Sequence, residues 1–208
     1  HALWITPQIE YMEIIPSIIS TSYQGKGPEV SSGTEKKLLD KIKRLPQQGL
    51  PLENTSFDWL LQPSRSKAGI YATPDGKSIL LSNGMVARMF RVLPNLSTLD
   101  IFNRMTGESM LRAVSSEGSL TIDGKRWELG GLAGQPERGY FQMEWVEQMT
   151  TRSGSFLIED FRIEELQEDI KWARSRWALN KNVPTGKRLT FVLKGEKETE
   201  GVTVELHY

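Results

Sequence analysis

Ser119-Leu120-Thr121-Ile122-Asp123-Gly124-Lys125-Arg126-Trp127-Glu128-Leu129 reads as strand, two-residue turn and strand. Asp-Gly is the pair that best tolerates the two positive φ angles of a type I′ turn, whose twist matches that of the strands it joins. Leu120 and Ile122 alternate with Thr121, so one face of this hairpin is expected to be buried. Moving towards the C-terminus, the period of two returns in Ser155–Ile163, Arg188–Lys194 and Val202–His207. In the last of these, Val202, Val204 and Leu206 face one way, and Thr203, Glu205 and His207 the other. Between them, the charged stretch Glu164–Ile170 is expected to form a solvated helical turn. Moving towards the N-terminus, Ile70 and Ala72, then Ile79 and Leu81, mark further strands. Asn83-Gly84 is expected to supply the positive-φ positions of a turn between Ser78–Leu81 and Met85–Val92. Thr98–Phe102 is another strand, closed by Asn103 to Gly107. Strands at this spacing, with turn signals between them, predict a mainly β chain folded as an antiparallel β-sandwich rather than βαβ units.

Residues 1–50 differ from this pattern and are read as an N-terminal extension, with residues 51–208 as the β-sandwich domain. Ser20 to Thr34 is rich in Ser, Gly and Pro and reads as linker. Thr34 is expected to cap a short amphipathic helix with Leu38, Leu39, Ile42 and Leu45 on one face, Lys36, Lys37, Lys41, Lys43 and Arg44 around it, and Pro46 as its stop. Tyr11–Ile19 is apolar but contains Glu13 and Pro16, and does not read as a signal peptide. The chain opens on His1 rather than Met, and a strand runs to its end. The first feature leads us to expect a mature form or a piece of a longer polypeptide, and the second either a polypeptide that continues past Tyr208 or a strand that closes a sheet at the terminus.

Composition removes several functions. The 208 residues carry 26 basic and 26 acidic side chains, two His and no Cys. Without Cys there is no disulfide, thiolate zinc site, iron–sulfur cluster or Cys nucleophile. Two His near the ends of the chain leave no His-rich metal site and no evident Ser-His-Asp triad. Zero net charge gives no footprint for nucleic acid, and no apolar run is long enough for a membrane span. The run Gly130-Gly131-Leu132-Ala133-Gly134 follows a strand but lacks the helix start that a phosphate loop needs. It is expected to be a surface loop whose backbone approaches a neighbour, with no cofactor and no metal.

Six Trp are the most distinctive feature of the remainder. Trp127 and Trp59 read as packing residues. Tyr140, Phe141 and Trp145 follow the Gly-rich run, and Trp172 and Trp177 flank Ala173–Arg176. Aromatic faces stack on sugar C–H faces or on other apolar surfaces. Glycoside hydrolysis needs two carboxyl groups roughly 5–9.5 Å apart, and Glu144/Glu147, Glu159/Asp160 and Glu164/Glu165 qualify by number alone. Neighbours in a strand point to opposite faces, which argues against Glu159/Asp160. Asn54-Thr55-Ser56 and Asn95-Leu96-Ser97 match the glycosylation sequon.

The stretch from Asp58 to Gly195 resembles the N-terminal β-sandwich domain of bacterial α-galactosidase-like glycoside hydrolases of clan D. The residues that carry the resemblance begin with Asp58-Trp59-Leu60 and Ser66–Tyr71. They continue with Leu81–Arg91 (Leu-Ser-Asn-Gly-Met-Val-Ala-Arg-Met-Phe-Arg), Met105–Arg112 and Thr121–Gly124. Gly130-Gly131-Leu132, Gly134-Gln135, Leu179-Asn180-Lys181 and Pro184–Lys187 complete the set. The resemblance implies a supersandwich of galactose-mutarotase type that supports a catalytic (β/α)₈ barrel in the same polypeptide. The catalytic Asp residues would lie in that barrel, so none is expected in this chain. It also implies a periplasmic or secreted glycosidase as the parent protein, and a loop lent to the rim of the sugar site. The expected lender is Gly130–Tyr140: Gln135, Glu137 and Arg138 would bond sugar hydroxyls, and Tyr140 or Trp145 would stack. The alternatives are a free-standing carbohydrate-binding module and a protein-interaction domain without sugar affinity.

Overall fold

The structure is a computed structural model that describes residues 28–50, 52, 67–167 and 186–208. Trp59, Trp172, Trp177, the Asn54 sequon, Tyr11–Ile19 and the resemblance residues Asp58–Leu60 and Leu179–Lys181 lie outside the described residues. Helix α1 (Ser32–Lys43) is followed by β1 (Gly69–Ala72), β2 (Ser78–Ser82), β3 (Val86–Arg91), β4 (Ser97–Asn103) and β5 (Glu108–Ser109). Then come β6 (Gly118–Ile122), β7 (Lys125–Leu129), β8 (Leu132–Ala133) and the 3₁₀ helix Met143–Gln148. β9 (Thr150–Thr151), β10 (Ser155–Glu165), β11 (Lys187–Lys194), a one-turn 3₁₀ helix at Lys197–Thr199 and β12 (Thr203–His207) complete the order.

The β6–β7 hairpin forms as its turn residues require, with φ of 50° at Asp123 and 77° at Gly124. The Asn83-Gly84 turn is built differently from expectation. Only Gly84 takes a positive φ, 88°, while the Asn83 carboxamide accepts from Met85 N–H at 3.0 Å and Val86 N–H at 2.9 Å. A short polar side chain that bonds its own following backbone fixes the turn with Gly84 as its one left-handed residue.

β1 to β5 form a five-stranded meander in sequence order, and the second sheet runs β12-β11-β10-β7-β6. The fold is a mainly β, sandwich-like architecture of antiparallel ladders with a short N-terminal helix. One pair departs from the antiparallel rule: β10 meets β7 in parallel through Ser155 opposite Glu128 and Phe156 opposite Leu129.

The main core lies between the sheets. Ile70, Ala72, Ile79 and Phe90 come from the first, and Phe156, Ile158, Leu189, Phe191 and Leu193 from the second. Helix α1 drives Leu38 and Ile42 into the same core, both fully buried. Its cap is Ser31, whose hydroxyl accepts from Thr34 N–H. Thr34 is therefore one turn inside the helix, not its cap. Lys41 anchors the helix by donating to Asp160 Oδ1 and to the Phe161 carbonyl, each at 2.6 Å.

Two other expectations are corrected. Glu164 and Glu165 are strand residues, paired with Arg188 and Lys187 across β10–β11, so the helical turn expected from Glu164 does not form there. Gly130 and Gly131 are buried, and the neighbour they approach is Leu96 of this same domain. Gly131 N–H donates to the Leu96 carbonyl at 2.6 Å, and a Cβ on Gly130 would collide with that oxygen.

The first sheet is buried on both faces. Leu80, Ala87, Met89 and Leu99 point away from the main core and form a second one with Val114, Leu132, Val146 and Met149. The segment from β8 through the 3₁₀ helix is thus a third layer over the outer face of the meander. Among the described residues no helix is long and apolar enough to cross a membrane.

Candidate functional site

The third layer carries the residues that the sequence singled out. Beyond Leu132, the buried residue of β8, the chain is exposed up to Tyr140 except at the half-buried Gln135. Gln135 is the centre of this loop. Its Oε1 accepts from Val114 N–H at 2.8 Å. Its Nε2 faces the carbonyls of Glu137 at 2.5 Å and of Arg112 and Tyr140 at 3.2 Å each. One amide side chain therefore fixes the loop at both ends and against the strand-free segment at Arg112. The Glu137 carboxylate accepts from Gly139 N–H at 2.9 Å and shapes the loop tip. Arg138 is exposed at that tip.

Tyr140 and Trp145 come together as a tilted ring pair with centroids 5.5 Å apart. Tyr140 is half exposed. The five residues therefore divide. Gln135 and Glu137 hold backbone, Arg138 projects outward, and Tyr140 with Trp145 forms an aromatic rim. Met110, two residues from the Arg112 carbonyl that Gln135 bonds, and Met143 are also exposed.

The rim stands on the 3₁₀ helix, and two of the following residues hold that helix in place. Val146 enters the second core. Glu147 accepts from Arg91 Nη2 at 2.8 Å and from Lys77 Nζ at 2.7 Å. Arg91 is the pivot: its side chain is only 3% exposed, and its other contacts are Asp75 Oδ2 at 2.7 Å and the Leu93 carbonyl. A buried guanidinium is tolerable only when its donors are matched, and here they tie β3 and the residues just after it to the β1–β2 turn and to the 3₁₀ helix. Asp75 in turn accepts from the Thr73 and Ser78 hydroxyls and from the Lys77 and Ser78 N–H groups.

Burial alone would raise the Asp75 pKa, but the hydrogen bonds from Thr73, Lys77 and Ser78 and the charge of Arg91 outweigh it and hold the carboxyl below its ordinary value. The hydrogen bonds from Lys77 and then Arg91 hold Glu147 low as well. Both groups are anions at neutral pH. Glu147 therefore lacks the raised pKa that a general acid requires, and its carboxylate oxygens are engaged by Arg91 and Lys77. Asp160 is likewise held low: burial works against ionisation, but Lys41 and Lys37 overcome it. A cleft of about 330 Å³ opens beside this network, lined in part by Lys77, Arg91, Val146, Glu147, Met149 and Thr151.

A second buried network lies at Glu117, whose side chain is almost wholly enclosed. It accepts from Arg88 Nη2 at 2.7 Å, Tyr208 Oη at 2.6 Å, Thr98 Oγ1 at 3.0 Å and Thr98 N–H. The Arg88 guanidinium lies 4.5 Å from the Tyr208 ring centroid and 4.9 Å from that of Phe90. Burial, and next the Glu117 charge, push the Tyr208 hydroxyl far above its ordinary pKa. Every group here is satisfied, which marks the cluster as a clasp between the sheets.

Sequence reasoning missed Arg91, Asp75, Lys77 and Glu117. The available signal was an Arg in the otherwise apolar run Met89-Phe90-Arg91-Val92-Leu93. A charge inside a buried strand demands partners. Among the described residues no cluster of His, Asp or Glu is arranged to hold a metal ion. Asn95 is fully buried and spends its amide on Ser155 Oγ and the Phe156 carbonyl, so its sequon has no accessible acceptor. No protein-family model, curated protein or solved structure matches this chain.

Proposed function

We propose that this chain is a non-catalytic β-sandwich module of an α-galactosidase-like glycoside hydrolase, secreted or periplasmic. In this reading it supports a catalytic barrel carried outside the chain and lends the Gly134–Trp145 loop to the rim of the sugar site. The observation that carries the proposal is the rim itself. Tyr140, half exposed, leans on the partly buried Trp145, on a loop whose shape is fixed by Gln135 and whose base is fixed by Glu147 and Arg91. A rigid aromatic surface loses little conformational entropy on binding, so its stacking energy goes into affinity. The exposed Met110 and Met143 beside it suit contact with a neighbouring domain. The residue-level resemblance described above supplies the sugar class and the barrel.

The test is kinetic and uses the complete polypeptide that carries this module. Tyr140→Ala and Trp145→Ala are each expected to raise KM for p-nitrophenyl α-galactoside by roughly 3- to 10-fold, equivalent to about 0.7–1.4 kcal/mol, with kcat and thermal midpoint little changed. Unchanged KM in both variants, or the absence of glycosidase activity from that polypeptide, would overturn the assignment.

A further inference from the structure

Trp127 borders a second recess, of about 350 Å³, at the lower end of β7. Its walls include Ser153 and Gly154 ahead of β10, Ser155 at the start of β10, and Glu196, Lys197, Glu198 and Thr199 ahead of β12. That volume falls within the range of small-ligand sites, roughly 300–1,000 Å³. The indole packs in part against the main core. Lys125 Nζ lies over its ring, 4.2 Å from the centroid, and 2.6 Å from Glu198 Oε2. The side chains of Lys125 and Glu198 are both more than half exposed. A cation seated on the indole, with both residues lining this recess, marks a π face that attracts positive charge and that Lys125 covers. An exposed ion pair of this kind is weakly held, so a ligand displaces it at little cost.

The wall opposite Trp127 is tightly specified. Lys197 takes a positive φ of 52° without being glycine. A Cβ on Gly195 would collide with the side chain and carbonyl of Thr199. Non-glycine residues held at positive φ collect at ligand clamps and similar sites. The charges around the recess cancel, Lys125 and Lys197 against Glu196 and Glu198.

We propose that Trp127 floors a binding site for an uncharged sugar ring, separate from the Gly134–Trp145 loop. The ring's weakly positive C–H face takes the position of the Lys125 ammonium over the indole. Its hydroxyls exchange bonds with the freed Lys125 and Glu198 and with Ser153. A charge-neutral rim of alternating donors and acceptors around an aromatic floor suits a polyhydroxylated neutral ligand better than an ionic one. The site stands on its own geometry and does not depend on the loop's role.

The experiment is an amide and indole NMR titration of the full chain. The Trp127 indole signal is assigned by its loss in Trp127→Phe. Methyl α-galactopyranoside, methyl β-glucopyranoside and maltotriose are added separately, with tetramethylammonium chloride as a cationic control. At least one sugar is expected to move the Trp127 indole signal saturably below about 50 mM, as a weak millimolar site does. Glu198→Ala, a change at an exposed side chain, should weaken that titration by about 3- to 10-fold, while Tyr140→Ala leaves it unchanged. The proposal is overturned if no sugar moves the signal, if tetramethylammonium alone moves it, or if Glu198→Ala binds as tightly as the wild type. Sugar-induced shifts confined to Trp145 would also overturn it, while leaving the loop proposal standing.

Discussion

Replacing Arg91 by Met keeps an apolar stem of similar length and removes the guanidinium. Three bonds are lost, to Asp75, Glu147 and the Leu93 carbonyl. Removing one partner of a buried ion pair costs about 3–5 kcal/mol, because a charge is left uncompensated. Two features argue for the low end. Asp75 keeps its bonds from Thr73, Lys77 and Ser78, and Glu147, which is 56% exposed, keeps Lys77. The expected loss is therefore about 3 kcal/mol, or ~6–12 °C in thermal midpoint for a chain of this size. Lys77→Met is the control. It breaks a pair in which both side chains are largely exposed, and should cost less than about 1 kcal/mol.

The pH dependence has a definite sign. Asp75 and Glu147 have depressed pKa values in the folded state. Their stabilisation is thus complete above the unfolded carboxylate range and disappears as pH falls through the folded values. The gap between wild type and Arg91→Met should hold from about pH 5 to 8 and close below about pH 4. Urea unfolding at several pH values measures it. An Arg91→Met variant within about 1 kcal/mol of wild type at pH 7, or no more destabilised than Lys77→Met, would refute the view that Arg91 holds three elements together.

Three further outcomes are expected. Gly130→Ala should destabilise by at least ~2 kcal/mol, since φ is 65° there and the new methyl meets the Leu96 carbonyl; a thermal midpoint equal to that of wild type would contradict this. Leu38→Ala should cost about 2–5 kcal/mol in urea unfolding because the side chain is fully buried in the main core. A smaller loss would mean that α1 is only loosely docked. Asp160→Asn removes the partner of Lys37 and Lys41 and should raise hydrogen exchange in α1 at pH 7. Because the folded Asp160 pKa is depressed, wild type should approach the variant's exchange pattern only in acid, below about pH 4.

Much of the fold was legible because its signals are local. Asp123-Gly124 dictated a hairpin that forms in the expected register, and the alternation of Val202, Val204 and Leu206 against Thr203, Glu205 and His207 matches their burial. What escaped was non-local. Leu80 sits between Ile79 and Leu81, so a period of two assigns it to the solvent face. It is buried because residues 132–149 return to cover that face. No local pattern announces such a return. The parallel meeting of β7 with β10 joins segments some thirty residues apart and is equally silent. The candidate loop shows the same division. Its aromatics were readable as a type, but Gln135 was read as a ligand group when the fold uses its amide on four backbone atoms.

The 3₁₀ helix Met143–Gln148 joins these two levels. Six residues in 3₁₀ geometry cannot hold themselves together, because their hydrogen bonds are poor and few. Their position comes from tertiary contacts: Val146 in the second core, and Glu147 on Arg91 and Lys77. Trp145 occupies the preceding position and faces Tyr140. The geometry of the aromatic rim is therefore set by a buried cation at the end of the first sheet's central strand rather than by the loop's own sequence. Arg91 belongs to β3, whose Phe90 packs on Phe191 of the second sheet. One strand thus carries both the centre of the sandwich core and the anchor of its exposed aromatic surface. An aromatic surface built this way is as rigid as the sandwich beneath it, which is the property that the proposed supporting role requires.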